Sequence, residues 1–379
     1  MSAFLFDEED ESLSLVKIKV VGVGGGGGNA VNNMILHSLK GVDFLVANTD
    51  NQVLNLSHAP YKIQLGAKLT RGRGAGADPQ IGRDSALEST DEIKEALMGS
   101  EMVFVAASLG GGTGTGAAPI IANIAKEMGI LTVGVVTKPF SFEGGMKTRL
   151  AEEGLREMKK SCHSVIVIPN QRLLNIVEKG TTLKESLLVA DDILRQAVAG
   201  ITDLIMMPGQ INVDFSDVRA IMSYPGRAVM GMGISKGENR AVEAAQCAIA
   251  SPLLEDASIE GAKGILVSIS GGRDMGLHEM AEAAAIITEK GDADAKVIFG
   301  TSVGTSDSEE VRVTVIATGF QGEYIGDEMG DGRPVKKGLS MDMEKRGILK
   351  KVPRAVGTGT YNYNEDEWDV PTFLRRQAD

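Results

Sequence analysis

Two glycine-rich runs constrain the fold of this chain more than any other feature of its sequence. "GVGGGGGNA" occupies residues 22–30, "GGGTGTGAAP" occupies residues 110–119, and each run follows a short apolar stretch. Glycine within regular structure costs roughly 0.5–1 kcal/mol relative to alanine, so something must pass too close to these backbones for side chains to fit. Glycine loops between a strand and a helix expose N–H groups at a helix N-terminus, where anions are favoured.

One such loop alone is weak evidence, because a tight strand–helix turn needs one or two glycines and binds nothing. Gly22, Gly24 and Gly27 match the G-x-G-x-x-G pattern of dinucleotide-binding folds, whereas no G-x-x-x-x-G-K-[ST] sequence occurs, which excludes a P-loop. In a doubly wound sheet, ligands bind beyond the carboxyl ends of the strands. Two glycine loops that follow strands of one sheet would converge there.

The apolar pattern predicts an α/β fold. Nearly continuous apolar runs at residues 15–23, 42–48, 61–65, 101–107, 130–137 and 164–169 predict buried parallel strands, with helices between most of them. An apolar stripe of helical period over residues 183–206 predicts one long helix. A second αβ unit follows, in which the alternating "VRVTV" is typical of a strand with one solvated face.

Composition limits the remaining classes. The net charge of −12 argues against a general nucleic-acid binder. Cys162 and Cys247 are too few for a disulfide framework or a zinc site, and both are interpreted as small core residues in a reducing compartment. The acidic N-terminus lacks the apolar core of a signal peptide, and no apolar stretch is long enough to span a membrane. We therefore expect a cytoplasmic protein without direct membrane insertion.

Six motifs carry a resemblance to a known family. "GVGGGGGNAV", "ANTD", "GAGADP", "GGGTGTG", "KPFSFEG" and "INVDFSDV" follow one another along the chain. Together they resemble the FtsZ family of bacterial cell-division proteins, within the tubulin superfamily, from about Lys17 to Phe320 and again at the C-terminal peptide. The resemblance implies a GTPase that polymerises head to tail into the filaments of the division ring.

The resemblance also implies a tubulin-like domain organisation. A Rossmann-like parallel-sheet GTPase domain would be joined by a long central helix to a smaller αβ domain. The expected division is a flexible acidic N-terminus (1–14), a GTP-binding domain (15–182), the central helix (183–206), an αβ domain with an acidic catalytic loop (207–320), a flexible linker (321–362) and a partner-binding peptide (363–379).

The family's nucleotide site carries over residue by residue. Glu143 would hold the ribose, and Asp191 would accept the N1–H and N2–H₂ donors of guanine; otherwise Asp191 and Asp192 are a solvated helix face. This chain departs from the family at Leu187, where an aromatic residue is frequent, at Lys147, where arginine is usual, and at Asp78, where asparagine is common. The expected GTP-binding residues are Gly25, Gly26, Gly27, Gly28, Asn29, Ala75, Gly76, Gly110, Gly111, Gly112, Thr113, Gly114, Glu143, Lys147 and Asp191.

The acidic loop would supply the catalytic residues Asn212, Asp214 and Asp217. Phosphoryl transfer to water needs a group that orients the water and a cation that offsets phosphate charge, so Mg²⁺ is expected beside GTP and GDP. Otherwise, Asp217 caps the next helix. Between Asp191 and Met206 a helix advances about 22 Å, which carries the loop away from its own nucleotide. We therefore expect the aspartates to enter the nucleotide site of the next copy. Such a head-to-tail contact does not close on itself and builds filaments.

The last apolar segment, "WDVPTFLRRQ", follows a polar stretch that cannot form a core. Exposed apolar residues at the end of a linker suit an anchor in a partner's groove, unless the segment folds back onto its own domain. The resemblance implies docking on membrane-associated division adaptors such as FtsA, besides assembly regulators, at mid-cell. The expected contact residues are Asp369, Val370, Pro371, Phe373, Leu374 and Arg375.

Two other classes of function stay open. An NAD-dependent oxidoreductase would use the first glycine loop with Asp50 on the ribose, but it leaves the second loop and the acidic loop unexplained. A structural protein would bind nucleotide and polymerise without hydrolysis, and Asp214 and Asp217 argue against it. Phosphate release and light scattering with GTP, ATP and NAD would separate the three.

Overall fold

A ten-stranded sheet flanked by helices organises the molecule in a computed structural model that describes residues 16–175, 177, 180–206, 213–254, 259–292, 294–303 and 309–320. All of these residues fall in the first of the chain's two units, Met1–Asp327, and the second, Glu328–Asp379, lies outside them. The strands are β1 (Ile18–Val23), β2 (Val42–Asn48), β3 (Tyr61–Gln64), β4 (Met102–Ser108), β5 (Leu131–Lys138), β6 (Ser164–Pro169), β7 (Gly226–Lys236), β8 (Gly264–Gly271), β9 (Lys296–Val303) and β10 (Glu310–Thr318). Their order is β3-β2-β1-β4-β5-β6-β7-β10-β8-β9.

Helices follow most strands and cover the sheet. They are α1 (Gly24–Leu36), α2 (Asn51–Leu56), α3 (Ala67–Thr70), α4 (Pro79–Glu88), α5 (Thr90–Leu97), α6 (Thr113–Glu127), α7 (Gly145–Ser161), α8 (Asn170–Leu173), α9 (Leu183–Met206), α10 (Phe215–Met222), α11 (Arg240–Ile249) and α12 (Leu277–Lys290). None of the helices within the described residues is long and apolar enough to cross a membrane.

Strands β1 to β6 are parallel, and the predicted α/β class is confirmed. Their side chains divide between two apolar layers, because successive residues of a strand face opposite sides of the sheet. Val20 and Phe104 pack in a layer with α1 and α9, whereas Val21 and Val105 pack in a layer with α4, α5 and α6. With both faces covered, these strands are continuous apolar runs.

The long helix α9 lies against both halves of the sheet. Ile193, Leu194, Val198 and Ile201 of its apolar stripe are buried in one cluster that reaches from β1 to β8 and β10. Gly200 lies so close to β10 that a Cβ there would be 3.0 Å from the Thr314 side chain. One helix thus fixes the position of the second half of the sheet relative to the first.

The second half of the sheet has mixed direction. Strand β7 is parallel to β6, β10 is antiparallel to both β7 and β8, and β9 is parallel to β8. The expectation of a solvated face on β10 is wrong beyond its first residues, since every residue from Val313 onward is buried. Val313 packs against α11 and α12, and Ile316 packs in the layer of α9, so both faces are covered.

The two cysteines differ from each other. Cys162 is buried as expected, and burial raises the pKa of its thiol to about 12. Cys247 is exposed, so the interpretation of both cysteines as core residues is wrong for this one. Its position on the amphipathic α11 leaves it on the outer side, while Ala244 and Ala248 are buried.

Candidate functional site

The two glycine loops lie side by side at the edge of the sheet where β1 and β4 end, which we call the carboxyl edge. Val23 of β1 is directly opposite Ala107 of β4, so the segments after them leave the sheet at the same level. Between them is a cavity of about 280 Å³. It is lined by Val23, Gly25, Gly26, Ser108, Leu109, Gly110, Gly111, Gly112, Thr113, Gly114, Glu143 and Lys147.

Two helices begin at this cavity without a side-chain cap. The N-cap residues of α1 and α6 are Val23 and Gly112, and neither makes a capping hydrogen bond with its side chain. In contrast, Asp50 and Asp78 cap α2 and α4. The first N–H groups of an α-helix have no partner within the helix and carry partial positive charge. The two uncapped ends therefore suit an anion with several oxygens, such as a chain of phosphates.

The glycines of the first loop serve two different purposes. A Cβ on Gly25 would meet nothing within 4 Å, so its absence leaves room in the cavity. A Cβ on Gly26 would clash with the Ser108 side chain, and a Cβ on Gly27 would clash with the Ala106 carbonyl oxygen. Gly28 is buried, and a Cβ there would lie 3.4 Å from the Val46 side chain. Only part of the run is therefore explained by a ligand, and close packing of α1 on the sheet explains the rest.

In the second loop, too, some glycines leave room in the cavity and others are required by the backbone. Gly111 has open space, and Gly110 has a φ of +105°, which L side chains rarely adopt. Its N–H donates to the Thr115 hydroxyl at 2.8 Å, which fixes the start of α6. The Thr113 hydroxyl lies 2.7 Å from that of Thr49 in the loop after β2.

The loop around Ala75 packs against the second glycine loop. A Cβ on Gly112 would lie 2.9 Å from both the Ala75 Cβ and the Asp78 nitrogen. Ala75 is buried there, and Gly76 is exposed with open space around it. The Asp78 carboxylate accepts from the Gln80 N–H at 2.8 Å and so caps α4. A displacement of this loop would therefore shift the backbone of the second glycine loop at Gly112.

Glu143 and Lys147 form a charged pair on the rim of the cavity. The Glu143 carboxylate accepts from the Phe140 N–H at 2.9 Å and from the Lys147 ammonium at 3.0 Å. Lys147 lies in the first turn of α7 and its side chain is half-exposed. Lysine is a flexible point charge without the planar fork of arginine, so it can turn toward an anion in the cavity.

Asp191 lines a larger cavity of about 1150 Å³ between α1 and α9. Asn29, Lys184 and Leu187 line the same cavity. Burial raises the pKa of Asp191 to about 7. A carboxylate kept in a desolvated position within a cavity is typical of binding sites, and the solvated-face alternative does not fit it.

The neighbouring Asp192 is engaged differently. Burial alone would raise its pKa, but hydrogen bonds from Arg195, at 2.6 Å, and from Gln196 outweigh burial and lower that pKa. Asp192 is therefore engaged by other side chains of α9. Of the two aspartates, Asp191 is the one whose carboxylate is available to a ligand.

Two asparagines near these cavities are not among the residues singled out from the sequence. Asn170 follows β6 at the carboxyl edge, and Asn33 lies on α1 in the wall of the larger cavity. Both are buried, and the Oδ1 atom of each has no hydrogen-bond partner within the described residues. In the sequence, Asn170 could have been found as a polar residue directly after a buried strand, because such residues lie at the same edge of the sheet as the glycine loops.

The acidic loop lies at the other edge of the sheet. Asp214 is the exposed N-cap residue of α10. Asp217 pairs with Lys296, Nζ to Oδ1 2.9 Å. Lys296 is the first residue of β9 and lies opposite Gly264, the first residue of β8. We call this the amino edge.

The alternative in which Asp217 caps the next helix is wrong, because Asp214 occupies the N-cap position and Asp217 lies in the first turn. Asn212 lies outside the described residues, as do Asp369, Val370, Pro371, Phe373, Leu374 and Arg375. Of the expected nucleotide residues, the smaller cavity at the carboxyl edge is lined by Gly25, Gly26, Gly110, Gly111, Gly112, Thr113, Gly114, Glu143 and Lys147, and the larger cavity is lined by Asn29 and Asp191. The expected catalytic aspartates Asp214 and Asp217 lie at the amino edge.

A nucleotide-binding α/β protein with paired glycine loops is the class that this fold and site define. A model of the Tubulin/FtsZ family GTPase domain matches residues 17–178, and a model of the FtsZ family C-terminal domain matches residues 226–321. The chain belongs to the Tubulin/FtsZ family, and its first half is the GTPase domain of that family. Asp50, the ribose ligand of the oxidoreductase alternative, instead accepts from the Gln52 and Val53 N–H groups.

Solved structures agree with this assignment. An empty FtsZ dimer from M. jannaschii is 44% identical, with a TM-score of 0.77, over 81% of this chain and 89% of that one. A point mutant of FtsZ from the same organism is also 44% identical, with a TM-score of 0.77, over 81% and 92%. GDP-bound CetZ1 from Haloferax volcanii is 21% identical, with a TM-score of 0.71, over 80% and 94%, and shares the fold.

Proposed function

We propose that this chain hydrolyses GTP at interfaces between copies of itself, which assemble head to tail into the filaments of a cell-division ring. One observation carries the proposal: the glycine cavity and the acidic loop lie at opposite edges of one sheet. The two can meet only when the amino edge of one copy faces the carboxyl edge of the next. Such a contact does not close on itself and continues as a filament. The dimer of the related M. jannaschii FtsZ supports self-association.

The residues of the carboxyl edge would bind the nucleotide. N–H groups at the starts of α1 and α6 would bind the phosphates, and the Lys147 ammonium would offset their charge. Glu143 would accept from the ribose hydroxyls. Asp191 would accept from guanine, whose N1–H and N2–H₂ stand side by side, whereas adenine presents an acceptor at N1. The Oδ1 of Asn170, which has no hydrogen-bond partner within the described residues, is a further acceptor at this edge.

Hydrolysis would be completed by the neighbouring copy. Asp214 and Asp217, together with Asn212, would orient the attacking water at the terminal phosphate. Within the described ranges, His, Cys, Asp and Glu side chains form no group of three or more that could hold a metal ion. Mg²⁺ usually binds one or two carboxylates together with the substrate phosphates. When bound, Mg²⁺ would offset the negative charge of the phosphates.

The proposed function predicts that turnover depends on assembly. Phosphate release from GTP should be negligible at low protein concentration and rise steeply above a threshold, because a lone copy lacks a neighbour's Asp214 and Asp217 at its terminal phosphate. Sedimentation of the protein should begin at the same concentration and should require GTP rather than ATP or NAD. Turnover per chain that stays constant down to the lowest concentrations would contradict an active site shared between copies.

We also propose that the C-terminal peptide attaches the filaments to membrane-associated adaptors such as FtsA at mid-cell, and that the chain itself stays in the cytoplasm. The apolar residues of this peptide follow a polar linker, which suits docking in a partner's groove. Removal of residues 364–379 should preserve turnover and assembly. Phe373→Ala in the full chain should abolish adaptor binding in a pull-down, with Thr372→Ala as the matched control. A marked loss of melting temperature on truncation would mean that the peptide belongs to the folded domain.

A further inference from the structure

Asp217 has a charged partner from a distant part of the chain. Lys296, which is 79 residues away in sequence, donates from Nζ to Oδ1 of Asp217 at 2.9 Å. Both side chains are about half-exposed, with relative accessibilities of 47% for Lys296 and 46% for Asp217. About half of the Asp217 side chain therefore stays accessible to solvent or to a neighbouring molecule.

The backbone around this pair is held in place. The Lys296 N–H donates to the Lys263 carbonyl at 2.9 Å, at the start of the β8–β9 pairing. The buried Thr318 hydroxyl lies 3.0 Å from the Ile221 carbonyl in α10 and 3.4 Å from the Gly264 carbonyl in β8. Thr318 of β10 thus ties the helix that carries Asp217 to β8, and β8 in turn pairs with β9, the strand that carries Lys296.

Stability alone does not account for such a pair. An exposed or half-exposed ion pair contributes little to folding, because water screens the two charges. Its effect would be larger in a closed interface, since exclusion of water strengthens every charge interaction. The cation that α10 itself carries, Arg219, lies over the Phe215 ring, 5.4 Å from the ring centroid. The cation in contact with Asp217 is therefore Lys296 of β9.

We propose that Lys296 is a positioning residue for hydrolysis at the interface between copies. By holding Oδ1 it orients the Asp217 carboxylate and leaves Oδ2 to the attacking water. Its positive charge also offsets part of the repulsion between two aspartates and the phosphates of the facing nucleotide, a complementarity that interfaces use. This inference rests on the proposed function, because it requires that Asp217 act on the nucleotide of another copy.

The test compares three variants of the full chain. Lys296→Met removes the charge at similar length, Lys296→Arg keeps it, and Lys236→Met is the matched control. Lys236 pairs with Glu310 at 3.6 Å at the carboxyl edge, far from Asp217. Turnover per sedimented chain at saturating GTP should fall roughly ten- to hundredfold in Lys296→Met, as misplacement of a reacting group does. Lys296→Arg should recover most of it, and Lys236→Met should match the parent.

The affinity of the unassembled protein for GTP should not change in either Lys296 variant, because Lys296 lies at the amino edge. This split between binding and turnover is not expected of a merely structural role. Unchanged or increased turnover in Lys296→Met would overturn the inference, as would failure of arginine to restore activity. If Lys296→Met does not fold, Lys296→Gln is measured in its place. Full turnover in Asp217→Ala would instead overturn the proposed function itself.

Discussion

Asp214→Ala and Asp217→Ala are expected to lower GTP turnover by about 10²–10⁴-fold while GTP binding stays close to that of the parent. The magnitude is that of losing a group that activates or orients the reacting water. Binding should survive because both aspartates lie at the amino edge, whereas the glycine cavity lies at the carboxyl edge. Phosphate release and nucleotide titration on the same preparation would measure the two effects. Asp294→Ala, at the same edge, is the control for loss of a surface charge.

Mixing two inactive variants would separate action within a copy from action on the next copy. Gly25→Val should block the cavity without a clash in the protein, since a Cβ at Gly25 meets nothing within 4 Å. Its aspartates stay intact, and the Asp214→Ala chain still binds GTP. At mixed interfaces the first chain should act on the nucleotide of the second and restore part of the turnover. No recovery in co-sedimenting mixtures would contradict a site built from two copies.

Asp191→Asn should weaken GTP binding by about 10- to 100-fold, because it removes the charged acceptor of two guanine donors. Discrimination between GTP and ATP should largely disappear. Asp192→Asn is the matched control, since the Asp192 carboxylate is engaged by Arg195 and Gln196. Nucleotide titrations of parent and variants would measure both effects. Equal affinity of the parent for GTP and ATP would contradict the assignment of Asp191 to the base.

The raised pKa of Asp191 also predicts a dependence on pH. In the nucleotide-free protein this pKa is about 7, against an ordinary value of 3.8. The folded state therefore holds a proton between these two values that the unfolded state has lost. The stability that this proton provides is fully present below pH 3.8 and is lost as the pH rises through 7. Relative to the parent, Asp191→Asn should gain melting temperature above pH 7.

Guanine binding should change in the opposite sense with pH. The ionised carboxylate accepts both donors of guanine, whereas the protonated form must donate from one oxygen. GTP affinity of the parent should therefore fall as the pH drops below 7, and that of Asp191→Asn should not. A parent affinity that is flat between pH 6 and 8 would show that Asp191 does not meet the base.

The parallel strands could be predicted from sequence because both of their faces are buried. In β4 and β6, almost every residue packs in one layer or the other, so the strands are continuous apolar runs. Strand β7 was not predicted, since Gly226, Gly231 and Gly233 weaken its strand pattern. A Cβ at Gly233 would clash with the Ala244 carbonyl, so glycine there serves the close approach of α11. This contact between β7 and α11 depends on the tertiary structure and cannot be read from the sequence.

The start of α1 shows the same limit. The helical spacing of Val31, Met34, Ile35 and Leu39 predicts a helix that begins near Asn29, whereas α1 begins at Gly24. Five glycines are tolerated in the first turns because Gly26 and Gly27 must approach Ser108 and Ala106 of β4. Tertiary contacts thus override local preference at the position where the chain turns from strand to helix.

For the site, the convergence of the glycine loops followed from the doubly wound topology, since strands that are neighbours and parallel end at one edge. The pairing of Asp217 with Lys296 could not be foreseen, because it joins residues that are far apart in sequence through the order of β8, β9 and β10. The burial of the Asn170 Oδ1 without a hydrogen-bond partner among the described residues likewise depends on packing.

The placement of cavity and aspartates at opposite edges has a kinetic consequence for a growing filament. In the proposed filament the two tips would differ chemically. The terminal copy at one tip would hold a nucleotide without a neighbour's Asp214 and Asp217, and the terminal copy at the other tip would present these aspartates without a substrate. A copy that adds to the tip with the exposed nucleotide would start hydrolysis in the copy on which it lands, so the reaction at that tip would trail growth by one subunit. Older segments would therefore be richer in GDP than the growing tip, and a filament that stops growing would lose its last GTP by exchange rather than by hydrolysis.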